Sequence, residues 1–347
     1  MVALSVLDLS PIAAGSTAGE TLWRSVDLAE HAEALGFARY WVAEHHNAGA
    51  VASSAPEILI GQIAARTRAM RVGAGGIMLP NHSPLKVAEL FRVLSAMFPG
   101  RIDLGLGRAA GTDPRTAAEL RRGKPLVDPD EMAGELDRLE GFLLADPPAR
   151  GPFSRSIAAI PMGVAPPDVW LLGSSDYSSA LAARRGLPFA FAAHMSPGDA
   201  EAELRKYRVT FRPSARHAAP TSIVSLAVIC APTSEEARRL AASAELGWLH
   251  FAQGLRDLPM PSEEEAKAHV DDADQAAIRE MFRERLIVGA PAEVAERVMA
   301  IRRACQADEV MLMTHVHDHE ARRRSYALIA EALGLDKKVA PPARAVR

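Results

Sequence analysis

Short apolar runs separated by longer stretches of helical period constrain this chain more than any other feature. The runs are Leu4–Leu9, Tyr40–Ala43, Met70–Leu79, Ile102–Leu106, Val169–Leu172, Phe189–Phe191, Ile223–Ile229 and Val310–Met313. Their length and composition read as buried strands rather than helices. Helix signals separate most of them. Thr17 and Glu20 have capping-box spacing, and Leu22, Val26, Ala29, Ala32 and Leu35 then recur at three- and four-residue steps before Gly36. Ser54 with Glu57 repeats the spacing, Ser83 precedes a proline suited to the first helical turn, and Thr233 with Glu236 opens another helix.

Strands that alternate with helices must pair in parallel through right-handed crossovers. Eight such units favour a closed (β/α)8 TIM barrel, class α/β, over an open doubly wound sheet. The chain has 347 residues, against roughly 250 for a plain barrel. The surplus is assigned to insertions at about 121–167 and 247–288, expected at the C-terminal mouth as lids or specificity loops. Residues 1–335 then form one domain and 336–347 a loose tail.

Composition narrows the function. A net charge of −3 gives no basic footprint for nucleic acid. No apolar run reaches the roughly 18 residues of a membrane span, and the first residues lack a basic leader region. Two cysteines, Cys230 and Cys305, suit a reducing compartment, so the expectation is a cytoplasmic protein.

In such a barrel the chemistry lies where strands end. The second strand is followed by Glu44-His45-His46-Asn47, which offers proton donors, acceptors or metal ligands. The third ends in Gly73-Ala74-Gly75-Gly76, where the backbone bends unusually or something flat approaches closely. The fourth ends in Gly105-Leu106-Gly107-Arg108, whose guanidinium can clamp a phosphate. The fifth runs into Gly173-Ser174-Ser175-Asp176-Tyr177-Ser178-Ser179 and a helix start, a combination suited to an anion. The last is followed by His315, His317 and His319, which would share one face and hold a metal if the strand continued. Neither a Gly-x-Gly-x-x-Gly fingerprint nor a Walker-type lysine loop is present.

Together, YWVAEHHN, GAGGIMLPNHSPLKVAE, FPGRIDLGLGRAAGTD, VWLLGSSDYSSALAARRGLPFAFAAH and THVHDHEARRRSYALIAEAL resemble the bacterial luciferase-like family of flavin-dependent oxidoreductases, in its single-chain monooxygenase branch. The resemblance runs in order from residue 40 to 334. It implies FMN at the barrel mouth, delivered reduced by a separate flavin reductase, and dioxygen chemistry on a small organic substrate. It implies that His45, helped by Glu44 and His46, is the active-site histidine, and that Gly75–Gly76 is a cis peptide under the ring. Arg108, Ser174, Ser175, Ser178 and Ser179 fall on its phosphate site. Gly107 stands where luciferases proper carry a reactive cysteine, which weighs against light emission. The family's second phosphate arginine has no clear counterpart beyond Arg121 or Arg122. Relatives often form homodimers. Two other readings remain: a metal-dependent hydrolase using His315, His317 and His319 with Glu44 or Asp103, and a flavin-binding protein without turnover.

Overall fold

A computed structural model describes residues 2–123, 129–144 and 157–335. Among the described residues nine strands form one parallel sheet: β1 (Ala3–Asp8), β2 (Arg39–Val42), β3 (Arg71–Met78), β4 (Ile102–Gly107), β5 (Asp168–Gly173), β6 (Phe189–Phe191), β7 (Ser222–Cys230), β8 (Leu286–Gly289) and β9 (Glu309–Met313). Around them lie α1 (Ala18–Leu35), α2 (Pro56–Arg66), α3 (Pro84–Met97), α4 (Pro114–Leu120), α5 (Pro129–Leu144), α6 (Asp176–Arg185), α7 (Ala200–Thr210), α8 (Ser234–Ala252), α9 (Glu263–Ala268), α10 (Ala273–Arg283), α11 (Pro291–Cys305) and α12 (His319–Ala332).

The ring closes in the order β1-β2-β3-β4-β5-β6-β7-β9, through β6–β7, β7–β9 and β1–β9 pairing. All eight expected strands are staves of this (β/α)8 barrel. The ninth, β8, was not expected, because four residues beside a charged helix give little periodicity. It pairs with Ala227–Cys230 of β7, just above the stretch Ile223–Ala227 that pairs with β9. Where β7 leaves β9, side chains close the gap. Thr314 Oγ1 donates to the Val228 carbonyl at 2.8 Å, and Ser325 Oγ accepts the Cys230 N–H at 2.9 Å.

The sequence signals act unevenly. Thr17 and Glu20 form the full capping box, and Gly36 ends α1 in the left-handed region at φ 92°. The Ser54–Glu57 box does not form: Pro56 takes the first helical turn, Ala55 becomes the N-cap and no side chain caps it. Within 121–167 the described residues include one helix, α5. It is the return helix of the fourth unit, packed on α3, with Leu136, Leu139 and Leu143 buried. Arg92 of α3 fixes it by donating to the Phe142 and Leu143 carbonyls, both at 3.0 Å. The tail 336–347 lies outside the described residues.

Inside, the barrel is plugged. Trp41 and Trp170 meet edge to face at 5.5 Å among Leu7, Ala190, Ile223 and Met311. Below them Arg39 bridges Asp103 at 2.8 Å and Glu309 at 2.7 Å, and Trp41 Nε1 donates to Asp103. Asp103 is therefore spoken for at the foot of the barrel. Only the C-terminal end remains open. Among the described residues no helix is long and apolar enough to cross a membrane.

Candidate active site

The open end holds a cavity of about 420 Å³. Its floor is backbone as much as side chain. The β3–β4 register slips between Ala74 and Ile77, and the Gly75–Gly76 peptide within that slip is cis. A Cβ on Gly76 would lie 2.3 Å from Leu172 Cδ1 and 2.7 Å from the Gly105 carbonyl oxygen, so the floor admits no side chain there. Gly107 continues the surface, with the Met78 thioether against it.

Three histidines face this space: His45 after β2, His194 after β6 and His315 after β9. Burial pushes the His45 imidazole down, and its Nδ1 is buried without a partner. Burial pushes His194 down to about 4, and its Nδ1 lies 2.5 Å from Ser225 Oγ. Burial, reinforced by the Arg322 charge, takes His315 to about 3, and its Nε2 is again buried and unpartnered. All three are neutral near pH 7, so each ring has one N–H and one lone pair.

Glu44 and His46 do not join them. Residues two apart on extended backbone share a face, so Glu44 and His46 turn together away from the cavity that His45 faces. His46 Nε2 and His82 Nε2 each lie 2.8 Å from Glu44 Oε1, while Oε2 accepts the Met78 N–H at 2.9 Å. Burial disfavours the carboxylate, but the His46 and His82 hydrogen bonds, the charge on His82 and the Met78 N–H outweigh it. They hold Glu44 at about 2. The same carboxylate outweighs burial at His82 and raises its imidazole. Glu44 and His46 are therefore absent from the cavity lining, and Glu44 ties the end of β3 beside the glycine floor. Among the described residues, Glu44, His46 and His82 are also the only grouping close enough to hold a metal ion, and their mutual hydrogen bonds already use those ligand atoms.

At the β4–β5 corner, Arg108 lies 4.6 Å above the Tyr177 ring, and Ser174, Ser175 and Ser178 line the cavity. Ser175 is the N-cap of α6, so the first N–H groups of that helix point into this corner. A Cβ on Gly173 would lie 2.4 Å from Ser178 Oγ, so only glycine lets that hydroxyl pack against the strand. Ser179 is not among the cavity-lining residues: its hydroxyl lies within hydrogen-bond distance of the Asp176 carbonyl and the Glu203 carboxylate. Arg121 is buried against Asn81 and does not line the cavity, nor does Arg122.

The proposed metal histidines separate. The strand ends at Met313 and Asp318 caps α12, so the alternation that would align them stops. His317 Nε2 lies 3.0 Å from the Ala14 carbonyl and His319 Nε2 2.8 Å from Asp27, while His315 alone enters the cavity. The metal-hydrolase reading loses its ligand set.

The roof comes from the 247–288 region. Trp248 and Phe251 of α8, then Arg256, Leu258 and Met260, line the cavity. The segment is tied across the mouth by Met260 N–H to the Ile12 carbonyl at 2.7 Å, Ala14 N–H to the Met260 carbonyl at 2.9 Å and Ala50 N–H to the Arg256 carbonyl at 3.0 Å. His250, grouped with these aromatics in sequence, faces His269 instead. His194 escaped the sequence reading, although the strand-end rule applied to β6 points straight to it.

Fold and site define a class: a (β/α)8-barrel protein with a single-ended apolar mouth, a glycine floor, neutral imidazoles and an anion-suited corner. The chain belongs to the luciferase-like monooxygenase family, whose model matches residues 2–308. It is 40% identical over 335 residues to a luciferase-like monooxygenase of Escherichia coli strain K12, covering 94% of this chain and 96% of that one. It is 35% identical over 342 residues to an N-acetyl-S-alkylcysteine monooxygenase of Bacillus subtilis, covering 96% and 98%. Among solved structures, apo-MsnO8 shares 37% identity and a TM-score of 0.87 over 97% of this chain and 99% of that chain.

Proposed function

We propose that the chain is a monooxygenase that uses reduced FMN, supplied by a separate flavin reductase, to oxygenate a small organic substrate in the cytoplasm. The observation that carries this reading is the pairing of a flat, side-chain-free floor at Gly75, Gly76 and Gly107 with an anion corner at Arg108, Ser174, Ser175 and Ser178. The donor set suits a phosphate dianion, and the apolar floor and walls suit a flavin ring. The orphaned Nε2 of His315 suits a polar edge of the same group. When bound, reduced flavin supplies the electrons that activate dioxygen.

The chain's own residues supply the rest. Arg108, stacked on Tyr177, and the α6 N–H groups hold the phosphate. The Glu44–His46–His82 cluster keeps the end of β3 flat under the ring. His45, neutral and lining the cavity, would hold or pass a proton during oxygen transfer. Trp248, Phe251, Leu258 and Met260 roof the site and exclude water. A homodimer fits exposed Ile58 on α2 and Val93 and Met97 on the neighbouring α3.

The test is an anaerobic titration with reduced FMN, followed by admission of oxygen and flavin absorbance recording. Saturable binding, then delayed recovery of oxidised flavin, supports the proposal. No binding refutes it, and binding with immediate uncoupled oxidation leaves a flavin carrier without turnover.

A further inference from the structure

The cavity lining contains two cations, Arg108 and Arg256, and no aspartate or glutamate. Arg108 sits in the phosphate corner, and the flavin reading leaves Arg256 unused. Its guanidinium lies 5.2 Å above the Phe251 ring, and among the described residues no carboxylate pairs with it. The two cations are carried by different elements of the mouth. Arg108 follows β4 and stacks on Tyr177 beyond β5, whereas the Arg256 carbonyl is held by Ala50 beyond β2 and the same segment docks on Ile12 and Ala14 beyond β1. Arg108 thus belongs to the β4–β5 corner, whereas Arg256 belongs to the roof segment anchored beyond β1 and β2. The space between is walled by Trp248, Phe251, Leu258 and Met260, with neutral imidazoles on the far side.

We propose that Arg256 is the specificity-determining residue for the substrate, which is an apolar molecule ending in a carboxylate or sulfonate. Such a molecule lays its apolar body against the roof aromatics and offers its anionic end to a planar fork already held flat by Phe251. Arg256 is partly exposed. It therefore reads the head group at the rim, while the reacting atom reaches inward toward His45. The proposal deepens the monooxygenase reading and rests on it for what happens after binding.

The probes are octanoate, octanesulfonate and octanamide, equal in length and different in charge. Their affinities are measured by calorimetry on the protein with and without oxidised FMN. The wild-type protein is expected to bind octanoate and octanesulfonate at least about tenfold more tightly than octanamide. In Arg256→Ala that ratio is expected to fall to about one, with the affinities for octanamide and FMN unchanged, and Arg256→Lys to keep part of it. Arg256 itself contributes to the ties of this segment through its backbone carbonyl, which the alanine variant keeps.

A ratio near one in the wild type, or no binding by any probe, overturns the proposal. So does a sulfonate that binds no better than the amide. A preference that survives Arg256→Ala assigns the head group elsewhere, and a loss confined to FMN moves Arg256 to the flavin. Failure of FMN to bind at all would sink the monooxygenase reading while leaving the octanoate preference measurable on the unloaded protein.

Discussion

Replacing Glu44 by glutamine tests whether a buried carboxylate, not a catalytic one, organises the second and third strand ends. Glu44 falls from an ordinary 4.5 to about 2 in the folded protein, which corresponds to roughly 3 kcal/mol of carboxylate stabilisation. A depressed carboxyl contributes this fully above pH 4.5 and loses it as the pH falls through about 2. His82 is raised above its ordinary 6.5, so its share is present below 6.5 and is lost as the pH rises through its folded value. The pair therefore stabilises most between 4.5 and 6.5. Glu44→Gln still accepts the Met78 N–H but has no charge for His82. Urea midpoints followed by tryptophan fluorescence at about pH 3.5, 5.5 and 8 give the check. The gap between wild type and variant is expected to be widest at the middle value, a few kcal/mol, and to shrink on both sides. An equal gap at all three pH values, or none at the middle one, refutes the reasoning.

Three further outcomes are expected. Arg108→Ala weakens FMN about ten- to a hundredfold, the worth of a charge-assisted phosphate contact, and leaves riboflavin within about twofold. Fluorescence titration of both flavins checks it, and equal losses remove Arg108 from the phosphate corner. His45→Ala shortens the delay between oxygen addition and recovery of oxidised flavin by about tenfold or more without changing FMN affinity. Stopped-flow absorbance reads both, and an unchanged delay removes His45 from proton handling. Asp8→Asn leaves Arg322, now 2.7 Å from Asp8, charged and unpaired in the core. The cost is about 3–5 kcal/mol, and the thermal midpoint is expected to drop by roughly 10 °C. A midpoint indistinguishable from wild type contradicts it.

The eight staves were legible because a strand buried on both faces writes itself as an unbroken apolar run. What failed was local competition and side-chain direction. Pro56 overrode a capping box at Ser54 because it needs the first helical turn for itself. The charged surface of α5 masked the spacing of Leu136, Leu139 and Leu143, which marks an ordinary barrel helix. Glu44-His45-His46 was legible as a polar cluster, yet alternation sends the middle residue in and its neighbours out. His315, His317 and His319 needed extended backbone to align, and Asp318 ends it. The roof segment was legible as an interruption of rhythm, whereas Arg256 became informative only when the cavity showed no acid to pair with it.

One consequence follows from the branching of β7. Neighbouring strands of the ring are joined by main-chain hydrogen bonds, with a slip in the β3–β4 register between Ala74 and Ile77. The junction between β7 and β9 is zipped only up to Ala227 and hand-stitched above it by Thr314 and Ser325. The rim therefore has a seam. Two hydroxyls replace strand pairing there, so substitution of Thr314 or Ser325 removes a rim contact without removing a β7–β9 strand pair. The foot is built differently, since Arg39, Asp103 and Glu309 join β2, β4 and β9 there by charge.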